Sequence, residues 1–178
     1  TILSFGARAG GTTAVRVNES ASVALVKDAA AAGWLVGAAG LRDRVLPAID
    51  SIDVRRIELL RGRDLVAFTR QGVVWRISDP VVEQADNAVV DGILLALNGM
   101  TVGKFAPAAS GDRGAPALGI TLVRKNLERA TYTFWTGGAD GVRGQIDGDA
   151  DAFVITPVQF AEVDRTLEDA RVIPRPER

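Results

Sequence analysis

Residues 147–157 read DGDADAFVITP, a run that joins three alternate aspartates to an apolar segment and a Thr-Pro pair. Aspartates at alternate positions are typical of the start of a calcium-binding loop. Such a loop needs glycine at its sixth position and a carboxylate at its twelfth, and here these positions hold Ala152 and Val158. The stretch is therefore interpreted as a hairpin turn that leads into a strand, with a weak ion site as the alternative.

The same pattern occurs 129 positions earlier in the chain. Residues 18–28, NESASVALVKD, align with residues 147–157, and the alignment continues without a gap back to Ile2. Turn-forming polar residues stand in the places of the three aspartates: Asn18, Ser20 and Ser22. This internal similarity predicts a repeated structural unit.

The segment between the two similar regions predicts strands and one helix. Residues 54–60, 65–70 and 73–77 are rich in Val, Ile, Leu, Phe and Trp and are separated by short turns, which indicates a meander of hairpins. Asp86 is the predicted N-cap of a helix that runs to about Asn98. The apolar stripe of this helix indicates core packing: Val89, Val90, Ile93, Leu94 and Leu97.

The later part of the chain predicts a loop, two strands and a final helix. Residues 105–119 are rich in Pro, Ala and Gly and are predicted to form a loop, followed by strands at 119–124 and 130–135. Thr156 and Pro157 are the predicted cap and first residue of the last helix. Three residues are expected on its inward side: Phe160, Val163 and Leu167. Three acidic residues are expected on its solvent side: Asp164, Glu168 and Asp169.

These elements predict an α+β fold with mostly antiparallel sheets and two to three short helices, built from a repeated unit whose first copy is truncated. Residues 1–50 are the predicted C-terminal part of the first unit, residues 51–173 the complete second unit, and residues 174–178 a tail. The chain opens on Thr1 without a signal-like segment, so we expect a fragment of a longer protein or a processed product.

Composition excludes several function classes. The 178 residues include no cysteine and no histidine, which removes disulfides, thiol catalysis, His-based triads and the usual zinc sites. Twenty-one basic and 22 acidic residues give a formal charge of −1, so no global field favours nucleic acid. The thirteen-residue uncharged run at 29–41 is too short to span a bilayer.

Motifs that would indicate catalysis or a cofactor are weak. Residues 6–13, GARAGGTT, lack the lysine of a phosphate-binding loop, and we interpret them as a hairpin connection. None of the three lysines has a catalytic spacing from a serine. A hydrolase with paired carboxylates stays open, because the separation of two carboxylates depends on the fold. We assign no catalytic, cofactor-binding or metal-binding residue and expect a protein that is not an enzyme and needs no cofactor.

Charge is distributed unevenly along the chain. Residues 55–76 contain six arginines against two acids, whereas residues 140–169 are acidic. One interpretation is that these charges occupy the solvent-facing sides of strands. The other is a basic sheet surface that meets an acidic partner, with a neighbouring repeat as one candidate and with its docking edge near Ile57 or Val66.

The order of several residues resembles a known family. LRDRVL at 41–46 precedes a strand with Val54 and Ile57, and Trp75, Pro80 and a helix opened by Ala85-Asp86 follow. This order is similar to the bacterial family known as domain of unknown function 4340. The resemblance implies tandem domains in membrane-anchored, extracytoplasmic proteins, some of them beside transporter components linked to gliding motility. Its motifs are structural, and residues 106–119 depart from the family pattern.

The sequence and the resemblance together predict a non-enzymatic interaction or scaffold domain of a membrane-associated, extracytoplasmic bacterial protein, with a role auxiliary to a transporter as one option. The expected partners are proteins of a membrane assembly, without nucleic acid and without membrane insertion by this segment. The alternative is a small-ligand or glycan-binding module with a pocket between repeat units, under the 105–119 loop. An aromatic-lined pocket would favour this alternative, and a flat charged sheet would favour the scaffold.

Overall fold

The computed structural model describes residues 2–34, 44–107, 114–138 and 140–172. The chain divides into two compact units, Thr1–Arg42 and Asp43–Arg178. This division lies before the predicted limit at residue 50, because Leu46 and Ile49 are buried in the core of the second unit. As the limit of a repeat, residue 50 stays a prediction.

The first unit is a three-stranded antiparallel sheet followed by a short helix. Its elements are β1 (Leu3–Ala9), β2 (Thr12–Val17), β3 (Ala24–Lys27) and α1 (Asp28–Trp34), and the strand order is β1-β2-β3. Gly10 and Gly11 join β1 to β2 with positive φ angles of 58° and 76°, which glycine adopts without steric cost. The glycine-rich segment at 6–13 is therefore a hairpin connection, as predicted.

In its described residues, the second unit consists of a nine-stranded sheet and two helices. The first half consists of β4 (Val54–Arg61), β5 (Asp64–Gln71), β6 (Val74–Asp79), β7 (Glu83–Gln84) and α2 (Asn87–Gly99). The second half consists of β8 (Lys104–Pro107), β9 (Leu118–Arg124), β10 (Arg129–Gly138), β11 (Gly141–Ile146), β12 (Asp151–Ile155) and α3 (Pro157–Val163). The strand order is β7-β6-β5-β4-β9-β10-β11-β12-β8, and every pairing is antiparallel. The α+β class with mostly antiparallel strands is confirmed, and the described residues contain three helices.

Both helices of the second unit begin at the predicted caps. The Asp86 side chain accepts a hydrogen bond from the Ala88 amide at 2.8 Å. Thr156 and Gln159 form a reciprocal capping box ahead of Pro157. The box provides acceptors for backbone N–H groups that have no partner within the helix. Because α3 has only seven residues, these N–H groups are a large part of its backbone donors.

The core lies between one face of the sheet and the two helices. Val90, Ile93, Leu94 and Leu97 of α2 are buried there, as their spacing predicted. From the sheet, the largest buried side chains are Trp75, Phe68, Phe134, Phe153, Ile57 and Leu59. Phe160 of α3 contacts the Phe134 ring with a centroid distance of 5.7 Å, so α3 packs on this same face.

The structure differs from the sequence prediction at the proposed docking edge and in the predicted 105–119 loop. The predicted docking edge at Ile57 and Val66 is interior, because β4 lies between β5 and β9 and both residues are buried. The predicted 105–119 loop contains β8, which pairs with β12, and residues 108–113 of it lie outside the described part of the chain. The tail and residues 35–43 also lie outside it.

The last helix is shorter than predicted. It ends at Val163, and Leu167 packs against the core from the turn beyond. Asp164 is the C-cap residue, and Asp169 accepts a hydrogen bond from the Thr166 amide at 2.8 Å. Asp164, Glu168 and Asp169 therefore do not form the predicted acidic helix face. All three lie beyond Val163, the last residue of α3, so they do not share one face of a helix.

The aspartate-rich stretch forms the predicted hairpin turn. Gly148 has a φ of 86°, and the Asp149 amide donates to the Ile146 carbonyl at 3.1 Å. Ala152 is fully buried in β12, with β11 on one side and β8 on the other. No group of three or more acidic side chains in the described residues could hold a metal ion.

Candidate functional site: the outer face of the nine-stranded sheet

The nine-stranded sheet has one face under the helices and one face turned away from them. Residues paired directly across antiparallel strands share a face. The registers of β4, β5, β9, β10 and β11 therefore show which set of residues lies on the face turned away from the helices. We call the polar members of this set the outer face: Arg56, Glu58, Thr69, Ser78, Thr121, Arg129, Thr131, Thr133 and Gln145. The same registers also place apolar side chains and two further arginines on this side of the sheet: Leu60, Leu65, Arg76, Val123, Trp135 and Arg143.

Glu58 lies at the centre of the outer face. Its two carboxylate oxygens accept from Arg56 Nε at 2.8 Å and from Arg129 Nη2 at 2.7 Å. Burial raises the pKa of Glu58, but the hydrogen bond from Arg56 and the charge of Arg129 outweigh it and hold the pKa below the usual value. The carboxylate is therefore ionised at neutral pH and joins β4 to β10 across β9.

Hydroxyl groups extend this network to both sides. Arg56 Nη1 donates to Ser78 Oγ at 3.0 Å and to Thr69 Oγ1 at 3.3 Å. Thr121 and Thr131 share a hydrogen bond of 3.1 Å on the other side. Side chains held by several partners lose little further freedom when a partner protein binds, so this face is preorganised.

The outer face carries more basic than acidic side chains. Within the central network, Glu58 offsets one of the two arginines. Arg76 and Arg143 lie on the same side of the sheet. The Arg129 side chain is 57% exposed, which leaves part of its guanidinium free to donate to a partner.

The arginine-rich run at 55–76 does not form one basic surface. Arg61 pairs with Asp164 at 2.6 Å beside α3, and Arg70 pairs with Asp91 of α2 at 3.3 Å. Arg70 also lies 4.8 Å from the centre of the Trp75 ring, on the helix-covered side of the sheet. Three of the six arginines are thus ion-paired, Arg56 on the outer face and Arg61 and Arg70 on the helix-covered side, so the run is divided between the two faces of the sheet.

The acidic stretch at 140–169 likewise contributes to structural contacts. The Asp140 carboxylate accepts from Lys104 Nζ at 2.5 Å, and this hydrogen bond holds the pKa of Asp140 below its usual value. The Asp164 carboxylate accepts from Arg61 Nε at 2.8 Å. Both contacts join segments distant in sequence, Lys104 of β8 with Asp140 and Arg61 of β4 with Asp164.

The surface cavities among the described residues are open grooves. One of them, about 530 Å³, lies between α2 and α3, with Gly92 and Ala96 among its lining residues. A second, about 420 Å³, lies beside β8 and β12. A third, about 410 Å³, is lined by Arg55, Arg70 and Lys125. A glycan-binding pocket would need aromatic lining residues, and none lines the described cavities.

Sequence reasoning named no site residue and so missed the network at Glu58. One part of it was visible, because Arg56 and Glu58 stand two positions apart in a predicted strand and so share a face. The contribution of Arg129 depends on the β4–β9 pairing, which joins segments about sixty residues apart. No local pattern predicts that pairing.

Among the described helices, none combines the length and the apolar character needed to cross a membrane. Comparison of the chain with protein-family models, with curated proteins and with solved structures gives no match.

Proposed function

We propose that the chain is a non-enzymatic interaction domain that binds a protein partner through the outer face of its nine-stranded sheet. The observation that carries this proposal is the Arg56–Glu58–Arg129 network, whose side chains are held in place by each other. A sheet surface with fixed donors and acceptors favours a macromolecular partner, whereas small ligands favour concave sites. The described grooves, which lack aromatic lining residues, give less support to the glycan-binding alternative.

The proposal includes a repeated unit. Two elements of the first unit correspond to elements of the second at the sequence offset of 129: β2 (Thr12–Val17) with β11 (Gly141–Ile146), and α1 (Asp28–Trp34) with α3 (Pro157–Val163). Two hydrogen bonds recur at the same offset. The Asn18 amide donates to the Ile2 carbonyl as the Asp147 amide does to the Thr131 carbonyl, and the Ser20 amide donates to the Val17 carbonyl as the Asp149 amide does to the Ile146 carbonyl. These correspondences support a common β-β-β-α arrangement at the two ends of the chain.

The cellular setting is proposed from the family resemblance alone. We place the domain in a membrane-associated, extracytoplasmic protein of the domain-of-unknown-function 4340 type, auxiliary to a transporter. The proposed partners are proteins of that assembly, and the anchor would lie outside this segment.

Site-specific cross-linking in the producing bacterium tests the proposal. A photo-reactive amino acid is placed at Thr121 or Thr133 of the outer face, with Val158 of α3 as the matched control, since its side chain is 71% exposed on another surface. We expect defined envelope or transporter proteins to cross-link to the two outer-face positions and not to Val158. Equal cross-linking at all three positions, or recovery of the protein alone from the soluble fraction, would contradict the proposal.

A further inference from the structure

A groove at one end of the nine-stranded sheet is lined by three cations. It has a volume of about 410 Å³ and lies where β4 begins, beside the turn between β5 and β6 and the end of β9. Among the described residues that line it, three are basic and none is acidic: Ile52, Arg55, Arg70, Gly72, Val73 and Lys125. Like charges on neighbouring strands repel each other, so this cluster destabilises the free protein.

Strand pairing places two of these cations side by side. The β4–β5 register has Arg56 opposite Thr69, so Arg55 comes next to Arg70 one position further along. The β4–β9 register shifts between Val54 and Arg56, which makes Arg55 the extra residue of a β-bulge. A bulge turns a side chain away from the regular alternation of a strand, and the exposed Arg55 side chain lines the groove.

Lys125 lines the groove from the other side of β4. Because β4 lies between β5 and β9, Arg70 and Lys125 lie on either side of Arg55. The Lys125 amide donates to the Asp53 carbonyl at 2.8 Å and so holds the turn after β9 beside the start of β4. All three cations are therefore positioned by the backbone of one sheet.

The acidic neighbours compensate these charges only in part. Lys125 Nζ lies 3.4 Å from Asp53 Oδ1. Arg70 Nη2 lies 3.3 Å from Asp91 Oδ1. Strong charge-assisted hydrogen bonds measure about 2.7–2.9 Å, so neither pair is tight. Within the described part of the chain Arg55 has no ion-pair partner, and the groove thus keeps positive charge and hydrogen-bond donors for an anion.

Arg70 is held in place without a ligand. Its side chain is only 17% exposed, and its Nη1 donates to the Ser51 carbonyl at 2.8 Å. The guanidinium also lies 4.8 Å from the centre of the Trp75 ring. A donor that is already fixed loses little freedom when an anion binds, which favours affinity.

Two exposed apolar side chains border the same groove. Val73 is 85% exposed and Ile52 is 68% exposed. Val73 follows Gly72 in the two-residue turn between β5 and β6, a position where polar or turn-forming residues are usual. A ligand that covers both apolar side chains removes their surface from water, which stabilises the complex.

We propose that this groove binds a small organic anion, a carboxylate or a phosphate ester with an apolar group next to its charge. The anionic oxygens accept from Arg55, Arg70 and Lys125, and the apolar group packs on Ile52 and Val73. The volume of the groove lies in the range of small-molecule sites. This binding is separate from the outer face, since Arg70 lies on the helix-covered side of the sheet.

Nuclear magnetic resonance titration of the isotope-labelled 178-residue chain tests the proposal. The probes are hexanoate, hexyl phosphate, inorganic phosphate and hexylammonium. We expect saturable shifts of the Arg55, Val73 and Lys125 amides with hexanoate or hexyl phosphate, and the tighter of the two identifies the anionic group. Inorganic phosphate lacks the apolar group and should bind about fivefold more weakly or worse. Hexylammonium has the opposite charge and should not bind.

Three variants assign the binding to the groove. Arg55→Gln should weaken binding of the anionic hexyl probe about tenfold, because a charge-assisted hydrogen bond is lost. Arg63→Gln is the matched control: Arg63 is an exposed arginine in the turn at the opposite end of β4 and β5, so its loss should change the affinity by less than about twofold. Val73→Ser should weaken binding of the hexyl probe and leave that of inorganic phosphate unchanged.

Absence of saturable shifts at the groove would overturn the proposal. Equal weakening by Arg55→Gln and Arg63→Gln would do the same, because it would show a non-specific effect of charge. Equal affinity for inorganic phosphate and hexyl phosphate would contradict the apolar contact. Unchanged amide shifts in β10 to β12 show that each variant keeps its fold.

Discussion

At the scale of single residues, Gly144 leaves room for the ring of Phe153, which a larger side chain would not. The two residues are paired across β11 and β12, and a Cβ atom on Gly144 would collide with the Phe153 ring. That ring is 2% exposed and meets Phe134 edge-on, so it has little room to move.

We therefore expect Gly144→Ala to lower the free energy of unfolding by about 1–3 kcal/mol through overpacking. Gly92→Ala in α2 is the control, because nothing lies within 4 Å of its added Cβ. That control should raise the free energy of unfolding by about 0.5–1 kcal/mol, since glycine is unfavourable inside a helix. Urea unfolding measures both, and an equal effect of the two substitutions would contradict the packing argument.

Glu58 gives a prediction for pH dependence. Its pKa is lower in the folded protein than in the unfolded chain, so its contribution to stability is present above the unfolded pKa and is lost as pH falls through the folded pKa. Glu58→Gln should lower the free energy of unfolding by about 1–2 kcal/mol at pH 7, where two charged hydrogen bonds are weakened. The difference from the unaltered protein should shrink at acidic pH.

Urea unfolding of both proteins between pH 3 and pH 7 checks this expectation. Asp86→Asn is a suitable control, because it changes one acid but keeps an acceptor at a helix cap. A constant difference between Glu58→Gln and the unaltered protein across this range would show that the network does not depend on the charge.

At the scale of elements, local signals decided where helices begin and where hairpins turn. The sequence showed the helix caps Asp86 and Thr156 and the first helical residue Pro157. It also showed the glycine turns between apolar runs. The end of α3 was not visible, because its apolar pattern continues through Leu167 while the chain leaves the helix after Val163. β8 was missed because Pro107 and its neighbours have a loop-like composition, although β12 provides a partner for them.

Helix α3 is short enough to depend on its cap. We expect Thr156→Ala to lower the free energy of unfolding by about 1 kcal/mol, because the backbone N–H of Gln159 loses the Thr156 hydroxyl as its acceptor. Thr156→Ser keeps the hydroxyl and should cost much less. Thermal or urea unfolding compares the two variants, and an equal loss in both would show that the methyl group rather than the cap is responsible.

At the scale of the whole molecule, the two units differ in how well their apolar residues are covered. In the second unit Ile57, Leu59 and Ile120 on the paired strands β4 and β9 are fully buried. In the first unit Leu25 is 73% exposed and Ile2 is 71% exposed. Apolar burial is the main stabilising contribution to folding, so the two units should differ in local stability.

We expect amide hydrogen exchange to be slowest in β4 and β9 and markedly faster in β1 to β3. The measurement needs only the unaltered chain. Protection factors of β4 and β9 should exceed those of β1 to β3 by on the order of 10³ or more. Equal protection in both units would contradict this expectation and would imply that the first unit is covered in solution.

The sequence by itself determined the local structure: the turns, the caps, the strand runs and the α+β class. These follow from backbone preferences and from hydrophobic periodicity, which act over a few residues. Only the tertiary structure decided that β4 pairs with β9, and so that Ile57 lies in the middle of a sheet and that Glu58 meets Arg129. Pairing between strands about sixty residues apart depends on which surfaces bury each other best, a property of the whole core that no local pattern contains.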